Sequence, residues 1–155
     1  MGFSVSASTA IVFIAAFVSV GILYSAAYNG FEQVNDATAI KQEAGLEQQN
    51  TAINITEVTH DTTSTTDYVN VTVANVGTTA LSVHDTDVLL NGTYQSTYVN
   101  RTVTTDSGTV AAGGDGTDLW LPGEELTVSI HRNMSEPIHV KVVTGPGVAD
   151  AEVYP

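Results

Sequence analysis

The chain has 155 residues, with 17 Asp and Glu against 4 Lys and Arg, a formal net charge of −13 and no cysteine. That length fits one domain, or one domain with an appendage. The acidic balance argues against a nucleic-acid binder and against electrostatic docking on anionic headgroups. The missing cysteines exclude a disulfide framework, a zinc ribbon and a thiol nucleophile, and 43% hydrophobic residues are too many for an acidic disordered chain.

The charge is unevenly placed. Residues 1–31 carry no charged side chain, and the first is Glu32. Within them, Ala10 to Tyr28 reads AIVFIAAFVSVGILYSAAY, 19 residues without charge or proline. As a helix this run is about 28 Å long, close to the hydrocarbon thickness of a bilayer. Ile11, Val12, Phe13, Ile14, Phe17, Val20, Ile22 and Leu23 supply its span or helix-packing surface. Ser19 and Ser25 are tolerable in lipid because their hydroxyls can bond to the preceding turn of carbonyls. Tyr28 suits the interface. A cleaved secretory signal, which would have a positive flank and a shorter apolar run, and the buried core helix of a soluble protein are the competing readings. The pairs Ala15/Ser19 and Gly21/Ser25, each four apart, let another helix approach closely; they suit an ordinary span equally well.

Beyond Asn29-Gly30, a weak break signal, Phe31, Val34, Ala37, Ile40 and Ala44 recur at spacings of three and four, with Glu32, Asp36, Lys41 and Glu43 between them. This pattern predicts an amphipathic extension over about 31–48, with a kink near Gly30. Lys41 weakly favours a cytoplasmic body under the positive-inside rule; the glycosylation sequons below favour the opposite side. The expected domains are a helix over 1–50 and a β-domain over 51–155.

From Ala52 the texture changes to short alternating segments. Strands are expected at Ala52–Thr59, Asp67–Asn75, Asp87–Leu90, Tyr94–Thr104, Thr117–Trp120, Glu125–His131, Ile138–Thr144 and Ala149–Val153. Turn signals such as Asn91-Gly92, Pro122-Gly123 and Gly145-Pro146-Gly147 separate them. Eight short strands at this spacing predict an immunoglobulin-like antiparallel sandwich, with Trp120 and Leu121 as core anchors, and an α+β chain overall. The acidic, Lys-poor surface suits a salt-rich medium, where self-repulsion is screened.

Five N-x-S/T sequons fall in the body and none in the helix: Asn54, Asn70, Asn91, Asn100 and Asn133. They predict a glycosylated, externally exposed domain, with Asn91 best placed in its turn. Asn and Thr are also simply common on exposed strands. Asp85 and Asp87 form one acidic turn, and Asp115, Gly116 and Asp118 a second. Neither completes a calcium loop, and ordinary turn chemistry accounts for both. His60, His84, His131 and His139 form no metal motif, although His131 and His139 are placed to face each other across neighbouring strands. Glu124 and Glu125, adjacent on a strand, point to opposite faces. No catalytic constellation, metal site or cofactor site is expected.

Ser8-Thr9-Ala10-Ile11-Val12-Phe13-Ile14-Ala15-Ala16 resembles the N-terminal helix of archaeal flagellins, whose core reads G-T-L-I-V-F-I-A. Residues 73–81 (VANVGTTAL), 120–124 (WLPGE) and 140–147 (VKVVTGPG) resemble accessory archaellum proteins of the FlaF/FlaG type. With the acidic surface, they resemble a haloarchaeal member. The resemblance implies a non-enzymatic motility protein, anchored in the cell membrane by one helix, with its sandwich outside and below the surface layer. The implied partners are the surface-layer protein, a FlaG-like or FlaF-like subunit, the archaellum motor or filament and the membrane, in a homo- or hetero-oligomer without nucleic acid. Archaellins usually carry a charged residue before the processing glycine. Only Met1 precedes Gly2 here, and the chain is short for a major archaellin. Both points favour a retained stator anchor over the alternative, a minor archaellin or pilin-like subunit with its helix in a filament core.

Overall fold

A computed structural model of the chain describes residues 3–62, 67–114 and 116–155. It separates into two compact units, Met1–Glu43 and Ala44–Pro155.

Helix α1 runs over Phe3–Asn50, 48 residues. The helix passes through Asn29-Gly30 without interruption. The expected continuation past the weak break signal holds, because a single glycine costs a helix only about 1 kcal/mol. Ser19 Oγ donates to Ala15 O at 2.8 Å and Ser25 Oγ to Gly21 O at 3.0 Å, so both hydroxyls are satisfied within the helix. Tyr24 and Tyr28, one turn apart, stack at 6.5 Å.

The second unit is a sandwich of short antiparallel strands: β1 Ile53–Asp61, β2 Tyr68–Asn75, β3 Leu81–Ser82, β4 Asp87–Leu90, β5 Thr93–Tyr94, β6 Asn100–Thr105, β7 Gly108–Ala111, β8 Leu119–Trp120, β9 Glu125–His131, β10 Ile138–Val143 and β11 Ala149–Tyr154. One sheet has the order β1-β2-β9-β6-β7 and the other β11-β10-β4-β5; β3 and β8 pair separately. Reading β1, β2, β9 and β6 as A, B, E and D, and β11, β10 and β4 as G, F and C, gives the ABED and GFC sheets of an immunoglobulin-type sandwich. The strand set is richer than the expected eight. The Tyr94–Thr104 segment splits into β5 and β6, with Gln95 buried between them. Asp106-Ser107 turns the chain back into β7.

Alternation decides what lies between the sheets. Val69, Val71 and Val73 of β2, Leu126, Val128 and Ile130 of β9, and Ile138, Val140 and Val142 of β10 are buried on one side of their strands. Trp120 is fully buried, and its Nε1 donates to Glu124 O at 2.9 Å. Leu121 is 39% exposed and does not anchor the core. It follows Trp120 directly, so it faces the other way.

Asn75 ties the loops at one end of the sandwich together. Its side chain is fully buried, and Nδ2 donates to Thr79 O at 2.9 Å and Trp120 O at 3.3 Å, while Oδ1 accepts from Gly77 N at 3.2 Å. The loop held in this way receives the chain as it leaves the helix. Val76 N and Gly77 N donate to Ala52 O, and Thr78 N donates to Asn50 O. A Cβ on Gly77 would lie 2.5 Å from Ala52 N and 2.6 Å from Asn50 O, both backbone atoms. The motif V-A-N-V-G-T-T-A-L is therefore a joint in which only glycine fits.

Gly77→Ala is expected to destabilise the sandwich by about 1–3 kcal/mol, the usual cost of overpacking. Denaturant unfolding of the detergent-solubilised chain in molar salt measures it; an unchanged midpoint contradicts the close approach.

Candidate functional site

Among the described residues, no set of three or more His, Asp or Glu side chains could hold a metal ion. The helix and the outside of the sandwich carry the sequence-predicted residues.

The eight span or packing residues lie bare. Ile11, Val12, Phe13, Ile14, Phe17, Val20, Ile22 and Leu23 are each more than 60% exposed. They occupy every side of the helix, and the helix is long and apolar enough to cross a membrane. A helix that is apolar all round belongs in lipid or in a packed core of helices. The extension differs. At 100° per residue, Glu32, Asp36, Glu43 and Glu47 fall within an arc of about 60°. Phe31, Val34, Ala37 and Ile40 step by three, so each lags by about 60° and together they sweep half the circumference. The amphipathic extension is thus a broad apolar half beside an acidic arc.

The two sheets present different outer faces. On the five-stranded sheet, register aligns Thr59, Asn70, Ser129 and Asn100 in one row, and Thr72, Thr127 and Thr102 in the next. Thr72 and Thr127 share a hydrogen bond at 3.2 Å. This face is a field of hydroxyls and amides. On the four-stranded sheet, Lys141 lies between Leu89 and Ala151, with Tyr94 beside Leu89 and Val153 opposite His139. That face is more apolar.

The edges also differ. β1 and β11 border the same side of the sandwich, where the Asp150 carboxylate accepts from Ile55 N at 2.7 Å. β5 has only two residues. β7, Gly108-Thr109-Val110-Ala111, is uncharged and exposed along its whole length. It lacks the charge or proline that blunts most edges.

The sequons separate by local structure. Asn54 lies in β1 and Asn70 in β2, where its Nδ2 donates to Thr59 Oγ1 at 3.3 Å. Asn100 opens β6. Asn91 sits in the β4–β5 turn with φ 48°, and its Oδ1 accepts from His139 N at 2.7 Å. Asn133 lies outside any strand, exposed, between β9 and β10.

The histidines stand apart. His131 and His139 do not face each other, because β9 and β10 belong to different sheets. His131 instead packs on Tyr68 at 5.7 Å. His60 is the buried one: its Nδ1 meets Glu136 Oε1 at 3.3 Å, its ring meets Tyr154, and Nε2 has no partner among the described residues. Of the acidic turns, Asp85 pairs with His84, whereas Asp118 accepts from His84 N at 2.6 Å and Ser82 Oγ at 2.9 Å. The His84 backbone N–H, with Ser82 adding, holds the Asp118 carboxyl below its usual range. Asp118 closes the 82–86 loop, so its oxygens are already occupied. Asp115 lies outside the described residues. Glu124 accepts from Leu121 N at 2.7 Å within its turn, while Glu125 lies in β9. Burial raises the Tyr98 phenol above its ordinary value, with Tyr94 adding, while Arg101 sits over the ring at 4.9 Å.

Comparison with known proteins adds a family. The model of archaeal-type flagellin matches residues 2–151, the bare helix and nearly all of the sandwich together. The chain belongs to the archaeal-type flagellin family. It is thus an archaellum-related protein. Among solved structures, it is similar to one described as the archaellum periplasmic stator protein complex FlaF and FlaG from Sulfolobus acidocaldarius. That likeness has 22% identity, covers 66% of this chain and 87% of the other, and has a TM-score of 0.44. No curated protein matches.

Phe17→Lys puts a charge near the middle of the apolar run. On the translocon-insertion scale, the ion costs about 2.5–3.5 kcal/mol there. The variant is expected to partition measurably less into membranes in a cell-free insertion assay; unchanged partitioning contradicts the helix as an apolar anchor.

Proposed function

We propose that the chain is a non-enzymatic stator or adaptor of the archaellum. Its helix lies in the cell membrane and its sandwich outside, below the surface layer, where it links the motor to that layer together with a FlaF-like or FlaG-like partner. The observation that carries this reading is the joint at the helix exit. An adaptor under torque needs its sandwich tied firmly to the chain that enters it. Here Asn50 and Ala52 are bonded directly to Val76, Gly77 and Thr78, and Asn75 locks that loop onto Trp120. No Gly-rich or Ser-rich linker intervenes. The five sequons support an exterior sandwich, and the acidic surface supports solubility in a salt-rich, haloarchaeal exterior.

The uncharged β7 edge is the surface through which the sandwich docks, by adding a strand of the surface-layer protein to the five-stranded sheet. Its neutrality matters in a chain of net charge −13, because an incoming strand meets no row of carboxylates there.

A second reading is a filament subunit, a minor archaellin or pilin-like protein. It is favoured by a helix that is apolar on all sides, which suits a core of packed helices as well as lipid, and by a family match that includes that helix.

The adaptor reading is tested by co-purification of the full detergent-solubilised chain with surface-layer protein in molar salt. Capture is expected, with Val110→Lys reducing it at least several-fold while leaving the unfolding midpoint within about 0.5 kcal/mol, as for ordinary surface changes. No capture by the unaltered chain contradicts the reading.

A further inference from the structure

The sequons are not equivalent once the strands are in place. Register puts β1's start beside the helix exit, at Ile53 opposite Asn75, and its end at Asp61 opposite Tyr68. Tyr68 in turn pairs with His131, the last residue of β9. On the other sheet Ile138 pairs with Tyr154, and Val140 with Leu90. His60 joins these ends, contacting Glu136 and Tyr154. The Asn91 turn and the Asn133 loop therefore share the end of the sandwich opposite the helix exit.

We propose that this far end is the glycan-bearing end of the protein, and that Asn91 and Asn133 are its two N-glycan acceptors in the folded domain. Sugar transfer needs the acceptor amide exposed and its backbone free to bend toward the hydroxyl two residues on. A paired strand forbids that bend, since its ladder holds residues i and i+2 in extended register. Asn70 is the extreme case. It lies between β1 and β9, its amide nitrogen already donates to Thr59, and its sequon hydroxyl, Thr72, is shared with Thr127. In the Asn54 sequon, Ile55 N is bonded to Asp150, and Thr56 Oγ1 donates to Thr72 O at 3.3 Å. Asn100 pairs with Ser129, and its Thr102 is half-buried and paired with Ala111.

Asn133 and Ser135 lie outside any strand, and at Asn91 the chain turns between the sequon's two ends, although Thr93 itself pairs with Leu90 in β5. At Asn91 the left-handed φ of 48° and Gly92 at 75° form a two-residue turn. The His139 N–H donates to Asn91 Oδ1, and the residue as a whole is exposed. Thr93 and Ser135, the two sequon hydroxyl residues, are both exposed. In the transfer, Nδ2 bonds to the anomeric carbon of a lipid-phosphate-linked oligosaccharide. The anomeric C–O bond breaks, the lipid phosphate leaves with the electron pair, and the amide loses one proton to the transferase's base. Sugars at this end lie away from the helix exit, at the opposite ends of β1 and β9.

The inference rests on the exterior placement proposed above, so its test carries a separate reporter. The chain has no cysteine, which makes Ser107→Cys, exposed at the β6–β7 turn, a single thiol label. On intact cells it is expected to react with a membrane-impermeant maleimide; no labelling overturns the exterior placement and the glycan end together. Glycopeptide mass spectrometry of the full chain from a glycosylating archaeal host is expected to find sugar at Asn91 and Asn133. T93A and S135A each remove one glycan mass, and the double variant removes both. A labelled chain without sugar, or with sugar at Asn54, Asn70 or Asn100 in place of these two, overturns the glycan end alone; a bare Asn91 or Asn133 overturns that acceptor's assignment.

Discussion

A helix with apolar side chains on every side cannot remain in water by itself, and the arrangement of this protein follows from that constraint. Burying one Val, Leu, Ile or Phe is worth about 1.5–3 kcal/mol. Ile11 to Leu23 contribute at least eight such residues, each bare in the chain alone. Their summed demand for apolar surroundings is of the same order as the whole stability of an ordinary domain, about 5–15 kcal/mol. Where the protein resides is therefore decided by the helix. The net charge of −13 belongs to residues 32–155 and governs only how the rest meets water.

The sandwich satisfies its own core and makes no such demand. Its valine-rich strands bury one face against Trp120 and the opposing sheet, and its polar atoms are paired at the positions that matter for the joint. Where the chain leaves the helix, Thr78 N donates to Asn50 O, Val76 N and Gly77 N donate to Ala52 O, and Asn75 holds the same loop. A buried amide with three partners is costly to disturb, because each orphaned polar group carries a desolvation penalty of about 1–3 kcal/mol. That holds the 76–78 loop against the chain at Asn50 and Ala52.

Much of this could be read from the sequence, because the strongest signals are periodic. The uncharged run showed the helix, and the alternation in Val69, Val71 and Val73 showed an inward strand face. Long alternating segments such as β2, β9 and β10 were legible, whereas β3 and β7 were not. Two to four residues hold too little pattern, and β7 pairs with β6 through backbone bonds that no side chain announces. The continuation through Gly30 was legible too, because the apolar spacing resumes directly after it at Phe31 and Val34. The misplaced pairing of His131 with His139 came from sequence nearness, while β9 and β10 go to opposite sheets. Among the candidate surfaces, the span residues and the sequons were visible as residue types. The division of sequons between strands and turns was not, since it depends on register. Nor was the role of Asn75, whose partners lie 4 and 45 residues away in the chain.

Whether the apolar helix is surrounded by lipid or by other helices separates an anchored adaptor from a filament subunit. The most direct measurement is to shear filaments from the cells, then compare sheared filaments and detergent-extracted membranes by quantitative immunoblotting for this chain. The anchored account predicts that nearly all of it stays with the membranes and appears in detergent micelles. Recovery of most of the chain in the sheared filaments would contradict it.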